Sequence, residues 1–380
     1  MRIVIATGIY PPEIGGPATY TKTIAEHLSR RGHTITVVTY GGGAVPSSTF
    51  RVVVVGRHIP KGVRHLCYFL EVLWYGMRAD MIFAQDPVSA GLPACIAAII
   101  TRRRFVIRVA GDYAWEQGMG RFGVSDLLDD FLKKTYGVRV EFLRKVERMV
   151  TQRAKIVIVP SVYLRSVVER WGVAPDRVRV VYNAIEVLPA SVPKAVVREE
   201  LKLSGPVLLS AGRLVPWKGF ALLIRLMPEI LKTHPDARLY IAGTGPEEGR
   251  LRQEAVSQGV ADTVIFLGGK QREDLGRYVR AADIFLLNTG YEGFSHQLLE
   301  VMMAGTPIIT TESGGNREIV EDEVNALIAG YNDQMAWQHS VMRLLADTAL
   351  QQKIAQGARD TGAQFSHNHM IQETLAALGL

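Results

Sequence analysis

"DIFLLNTGYEGFSHQLLEVMMAG", residues 283–305, reads as a strand, a loop and a helix in succession. Ile284–Leu287 is an unbroken apolar run of strand length. Beyond it Leu298, Leu299, Val301 and Met302 recur at helical spacing, which predicts a helix beginning near Phe294 or Ser295. A continuous apolar strand followed by an amphipathic helix is half of a parallel β-α-β unit, because such strands are covered by helices on both faces.

The same reading extends in both directions. "PVLLSAGRL", "ARLYIAGTG" and "TVIFLGG" precede the stretch, and "TPIITT" and "NALIAG" follow it, with helical segments between them. Earlier in the chain "RIVIAT", "HTITVVTY", "RVVVVG", "DMIFAQD", "RFVIRVAGD", "KIVIVPS" and "RVRVVYN" repeat the alternation. Between the two series "AIEVLPASVPKAVVREEL" has two prolines and no clean period, which places a linker near residues 185–205. The fold class is therefore α/β, with two tandem Rossmann-like doubly wound domains at residues 1–185 and 186–361. The segment from about 362 to 380 has helical character and is expected to pack back onto the first domain. Ligands of such sheets sit beyond the C-terminal ends of the strands, so a cleft faced by both domains is the expected site.

Composition narrows the setting. Of 380 residues 48% are hydrophobic and 21% charged, as in a well-packed globular protein. Two cysteines, Cys67 and Cys95, sit in apolar runs, which argues against a disulfide framework and for a reducing cytoplasm. "HLCYFLEVLWYGM" (65–77) and "VSAGLPACIAAII" (88–100) fall short of the ~20 residues of a membrane span, and the first apolar run breaks at Gly8, too early for a signal peptide. Charge is uneven: residues 1–185 carry 26 Lys and Arg against 14 Asp and Glu, whereas 186–380 carry 18 against 23. "TRRRFVIR" (101–108) and "FLKKTYGVRVEFLRKVERMVTQRAK" (131–155) hold the densest cations. They point to an anionic membrane surface or an anionic acceptor, or else to a solvated helix face beside a core. No nucleic-acid-binding motif accompanies them.

Four segments carry candidate chemistry. In "SAGRLVPWKGF" (210–220), Arg213 and Lys218 follow a strand and stand where a diphosphate would lie, the guanidinium as a fork and the ammonium as a point charge. In "YEGFSHQLLE" (291–300), Glu292 falls in the loop and Glu300 in the helix among leucines and methionines, where a carboxylate needs a partner. The backbone amides of Gly293, Phe294, Ser295 and His296 lie at that helix start and suit an anion. In "GIYPPEIGGPATY", Gly15 and Gly16 stand ahead of a helix expected from about Thr19. "YIAGTGPEEG" (240–249) imitates a dinucleotide fingerprint, but its spacing is long, and a structural turn is the preferred reading. For Glu300 a buried structural ion pair stands as the alternative to a ligand contact.

Taken together, "GRLVPWKG", "EGFSHQLLEVMMAGTPI" and "GGNREI" resemble the retaining GT-B glycosyltransferases of family 4, glycosyl transferases group 1. "PPEIGGPATY", "VVYNAIE" and "AGTGPE" add to the resemblance, which spans about residues 1–330. It implies a metal-independent enzyme with no cofactor, moving a hexose from a nucleotide-diphosphate sugar (UDP or GDP) to an acceptor, with retention at the anomeric carbon. The acceptor is expected to be a glycan or lipid-linked saccharide of cell-envelope or exopolysaccharide synthesis. The site is expected to be cytoplasmic, peripheral on the inner face of the membrane. Carried over by position, Glu292 faces the donor sugar and Glu300 the ribose. Arg213 and Lys218 hold the diphosphate, Gly15 and Gly16 close over it, and Lys270 joins the donor-binding set. The family's histidine in the middle of the first domain is missing from "VIRVAGDYAWEQG" (106–118), where Gly111 and Asp112 stand. Asp112 is read either as a group touching the sugar or as a helix cap, and His296 as a residue acting through its backbone. The competing functions are a nucleotide-sugar epimerase of the same architecture and a catalytically silent protein that binds nucleotide sugars or membranes.

Overall fold

The computed structural model describes residues 1–13, 15–43, 49–185 and 192–380. The chain divides into two compact units, Met1–Tyr182 with Asn368–Leu380, and Asn183–His367.

The first unit holds a seven-stranded sheet: β1 (Arg2–Ala6), β2 (Thr34–Gly41), β3 (Arg51–Gly56), β4 (Met81–Ala84), β5 (Arg104–Arg108), β6 (Ile156–Val159) and β7 (Val178–Val180). All pairs are parallel and the order is β3-β2-β1-β4-β5-β6-β7. The order reverses at β1, which is flanked by β2 and β4, so a crevice opens beyond their C-terminal ends. Ile3, Ile5, Ile82, Phe83, Val106 and Ile107 fill the middle of this sheet and are buried, as strands covered on both faces require.

The first helix runs over Gly16–Arg30, beginning three residues before the expected Thr19. The reason is Pro17, whose fixed φ suits the first turn and whose missing N–H is not needed there. The C-terminal helix His367–Leu378 contributes Met370, Ile371, Leu375 and Leu378 to the core, each at most 3% exposed. Thr374 Oγ1 lies 3.0 Å from Tyr20 Oη, and Arg104 donates to the Leu378 carbonyl at 2.7 Å.

The second unit holds β8 (Val207–Ala211), β9 (Arg238–Ala242), β10 (Val264–Gly268), β11 (Ile284–Leu287), β12 (Ile308–Thr310) and β13 (Leu327–Ile328). These too are parallel, in the order β10-β9-β8-β11-β12-β13, and the reversal falls at β8. The helix Phe220–Thr233 packs Leu222, Leu226, Met227 and Ile230 against Leu208, Ile241 and Ile284. Each fully buried side chain of this size contributes about 1.5–3 kcal/mol. Both units are thus Rossmann-like, and every strand expected from the sequence is present.

Two local expectations are corrected. The linker of residues 185–205 is in part a helix, Lys194–Glu200, while 186–191 lie outside the described residues. Buried Val197 fixes that helix, and Lys194 and Arg198 both reach the Asp283 carboxylate ahead of β11. The helix expected after "SGGN" is only a 3-10 turn, Gly314–Glu318. Gly314 has φ +62°, and Gly315 donates to the Glu292 carbonyl at 2.8 Å, so the backbone is committed to the neighbouring loop instead of a helix.

Candidate active site

At the reversal point of the second unit two loops meet, 212–219 after β8 and 288–295 after β11. Asn288, fully buried at the end of β11, ties them together. Its amide donates to the Gly219 carbonyl at 3.0 Å and to Asn332 Oδ1 at 2.8 Å. Gly290 N–H donates to the Trp217 carbonyl at 2.7 Å. Gly219 sits at φ +53°, and a Cβ there would meet Asn288 Nδ2 at 2.2 Å. This packing allows no side chain at 219, and it fixes the direction in which Lys218 leaves the short turn Pro216–Lys218.

Lys218 Nζ forms an ion pair with Glu292 Oε1, the two side chains being 14% and 13% exposed. Both residues were expected at one ligand, at its phosphate and sugar ends; here they touch. Arg213, on the same loop as Lys218, is exposed and has no side-chain hydrogen bond or ion pair among the described residues. The loop carrying Arg213 is braced from the far side by "AGTGPE": Leu214 N–H donates to Thr244 O at 3.0 Å and Gly212 N–H to Ala242 O at 2.9 Å. A Cβ on Gly243 or Gly245 would meet the carbonyls of Gly212 or Leu214 at 1.9 and 2.2 Å. Those glycines serve a close backbone approach.

The helix after the β11 loop is His296–Ala304, capped by Ser295, whose Oγ accepts from Leu298 N–H at 3.2 Å. The Ser295 hydroxyl is therefore engaged in the cap. Phe294 is buried, with its ring against Phe365 and its carbonyl accepting from Asn183 Nδ2 at 2.9 Å. Leu298, Leu299, Val301 and Met302 face the core, which leaves Glu300 on the opposite, half-buried side. Arg272 Nε donates to Glu300 Oε1 at 2.8 Å. Burial pushes the Glu300 carboxyl above its ordinary range, and the Arg272 guanidinium works against that rise. The pair also draws the segment after β10 to this helix, and that segment carries Lys270. Lys270 has no ion pair among the described residues.

In the first unit Asp112 follows β5 and is 1% exposed. Its Oδ1 accepts from Trp115 N–H at 2.8 Å and caps the helix Tyr113–Arg121. Beside it stands Glu147, also 1% exposed, on the helix Val138–Arg153, accepting from Tyr113 N–H at 2.6 Å. Asp112 Oδ2 and Glu147 Oε2 have no hydrogen-bond partner among the described residues. Burial raises Asp112 to about 6, and burial together with the charge of Asp112 raises Glu147 well above the ordinary range. Gly15 caps the helix Gly16–Arg30, taking hydrogen bonds from Ala18 and Thr19 N–H on its carbonyl. Ile14 of the same loop lies outside the described residues.

Several residues of these sites escaped the sequence reading: Asn288, Arg272, Glu147 and Asn316. Asn316, fully buried in the turn behind Glu292, leaves both amide atoms unpartnered among the described residues. Only Asn288 had a local signal, as a polar residue closing a buried strand.

The family model "Glycosyl transferases group 1" matches residues 193–361, and "Glycosyltransferase Family 4" matches 14–187. The chain belongs to the group 1 glycosyl transferases of glycosyltransferase family 4. Within this family it is 29% identical, over 99% of its length and 97% of the relative's, to an uncharacterized glycosyltransferase of Methanocaldococcus jannaschii. A D-inositol 3-phosphate glycosyltransferase of Acidothermus cellulolyticus is 33% identical over 56% of this glycosyltransferase and 50% of that protein. Anabaena HepE, solved in complex with UDP-glucose, superposes with a TM-score of 0.82 at 21% identity, covering 100% of this chain and 99% of that one. The likeness to HepE establishes a shared fold.

Proposed function

We propose that this glycosyltransferase moves a hexose from a nucleotide-diphosphate sugar to a glycan or lipid-linked saccharide acceptor of cell-envelope or exopolysaccharide synthesis. The observation that carries the donor assignment is the ion pair of Lys218 and Glu292 at the reversal point of a doubly wound sheet, on a loop that also carries Arg213, which has no ion pair among the described residues. A diphosphate takes up Arg213 as a bidentate partner and draws Lys218 from Glu292, which releases the carboxylate toward sugar hydroxyls. Charge growing on the departing diphosphate is then met by two cations and the helix-start amides, donors of a kind worth about 2.7–4 kcal/mol each. Glu300 takes the ribose hydroxyls through Oε2, with Arg272 fixing Oε1. Lys270, two residues ahead of Arg272, is assigned to the donor-binding set with it.

Asp112 is assigned to ordering the loop after β5 from inside the fold. Retention at the anomeric carbon and independence of metal follow from the family resemblance. HepE was solved with UDP and with UDP-glucose, which makes UDP the first nucleotide to test.

The decisive experiment incubates the protein with UDP- and GDP-sugars labelled in the sugar, membrane extract and a chelator, and reads the anomer of the product by NMR. Label in a saccharide product with the donor's anomeric configuration is expected. Interconverted sugar nucleotide without transfer would establish the epimerase reading, and binding without turnover the silent one.

A further inference from the structure

The helix Lys61–Gly76 carries Val63, Leu66, Leu70 and Trp74, continued by Met77, and each is 48–58% exposed. At 100° per residue these five fall within an arc of about 80° on one side of the helix. The neighbouring helix Gly91–Thr101 exposes Ile96, Ile99 and Ile100 at 40%, 57% and 58%. The two helices pack on each other, and Gly76 of one stands close to Thr101 of the other. Eight large apolar side chains therefore lie outside the core on two adjoining helices. These are the segments too short to span a bilayer, and no described helix is long and apolar enough to cross one.

The edge of this face is cationic. Arg78 lies over the Trp74 ring at 5.8 Å, and Arg103 donates to the Met77 carbonyl at 2.8 Å. A groove beside Ile99 is lined by Arg102, Arg103, Arg104, Arg153, Lys155 and Arg177. None of the six is in an ion pair with a carboxylate among the described residues, and Arg103, Arg104 and Arg177 bind only backbone carbonyls through their guanidinium groups. The more obviously basic helix Val138–Arg153 turns Val140, Val146 and Val150 inward, buries Arg144 against the Phe131 ring and exposes two large apolar side chains, Val138 and Phe142, against the five of the stripe on Lys61–Met77.

We infer that this face, the helices Lys61–Gly76 and Gly91–Thr101 with their arginine edge, docks onto an anionic phospholipid surface. An apolar stripe bearing tryptophan and leucine enters the boundary of the acyl chains, while unpaired cations meet lipid phosphates. A second copy of the chain is the weaker candidate, because self-association through this face would bring like cations together. The inference extends the reading of a lipid-linked acceptor without resting on it, since docking is measured with no sugar nucleotide present.

The protein supplies its own probe. Of its five tryptophans Trp74 alone is exposed; Trp115, Trp171, Trp217 and Trp337 are at most 6% exposed. Vesicles of phosphatidylcholine mixed with phosphatidylglycerol are expected to shift the emission to the blue, and brominated lipid to quench it. Both effects vanish in Trp74→Phe and weaken with salt. In flotation, L66D and L70D each lower partitioning about tenfold or more while leaving the circular dichroism unchanged. No shift with anionic vesicles, equal binding to phosphatidylcholine alone, unchanged flotation of L66D and L70D, or a dimer in sedimentation that those variants abolish would each overturn the inference.

Discussion

At the scale of single residues, the ion pair of Lys218 and Glu292 ties stability to the proposed donor site. Both side chains are largely buried, so removing one charge strands the other in a poor solvent. Lys218→Ala is expected to lose about 2 kcal/mol of stability along with most turnover. The double variant K218M/E292Q removes both charges and should regain most of the stability but none of the activity. Thermal unfolding beside a transfer assay checks this; activity in the double variant would sink the assignment of both residues. The carboxyl pair Asp112 and Glu147 makes a prediction with a definite sign. Their folded-state affinities for protons are raised, Asp112 to about 6 and Glu147 well above the ordinary carboxylate range. The folded protein then binds more protons than the unfolded chain above pH 4, and stability falls as pH rises through that window. Arg144 and Arg148 oppose the rise at Asp112, and Glu116 adds to it at Glu147. Glu147→Gln removes one charge, and its amide oxygen still accepts from Tyr113. The drop in melting temperature between pH 5 and pH 8 should be smaller in this variant, and an undiminished drop would place the proton elsewhere.

Among the elements, the loops at the strand ends are set by backbone contacts that leave no room for a side chain. A Cβ on Gly314 would lie 2.1 Å from the Glu292 carbonyl, and φ there is +62°. Gly314→Ala should shift the Glu292 loop and lower turnover more than tenfold at small cost in circular dichroism. Gly249→Ala, which meets nothing within 4 Å, serves as the neutral control. Unchanged kinetics in G314A would show that the turn does not position Glu292. This level also marks what could be read from the sequence. The strands were legible because each is an apolar run bounded by turn residues, and the helix after β11 because its apolar residues keep a helical period. The helix Lys194–Glu200 was missed because three long-range charges hold it where periodicity is weak. Arg272 was missed for a like reason: it joins Glu300 across 28 residues, and no spacing rule connects a cation at one helix start to a carboxylate inside the next. Arg213 and Lys218 were visible as cations where helix starts disfavour them. That Lys218 pairs with Glu292 could be known only from the fold.

For the whole molecule, the first unit is built from both ends of the chain, and this makes its stability separable. The C-terminal helix places Met370, Ile371, Leu375 and Leu378 in the core beneath Tyr20 and supplies the acceptor for Arg104. At about 1.5–3 kcal/mol for each buried side chain, these residues contribute about as much as a domain's whole margin of stability. Removing residues 368–380 should lower the unfolding temperature of the first unit by roughly 10 °C or more. The second unit keeps its own core around Trp337, Leu226 and Ile284, and none of it lies in the deleted segment. Its transition should stay where it was and should still rise with added UDP, since a ligand raises only the stability of the fold it binds. Calorimetry with and without UDP reads both transitions. If they fell together on truncation, the two units would unfold as one, and the nucleotide could not be assigned to the second by this route.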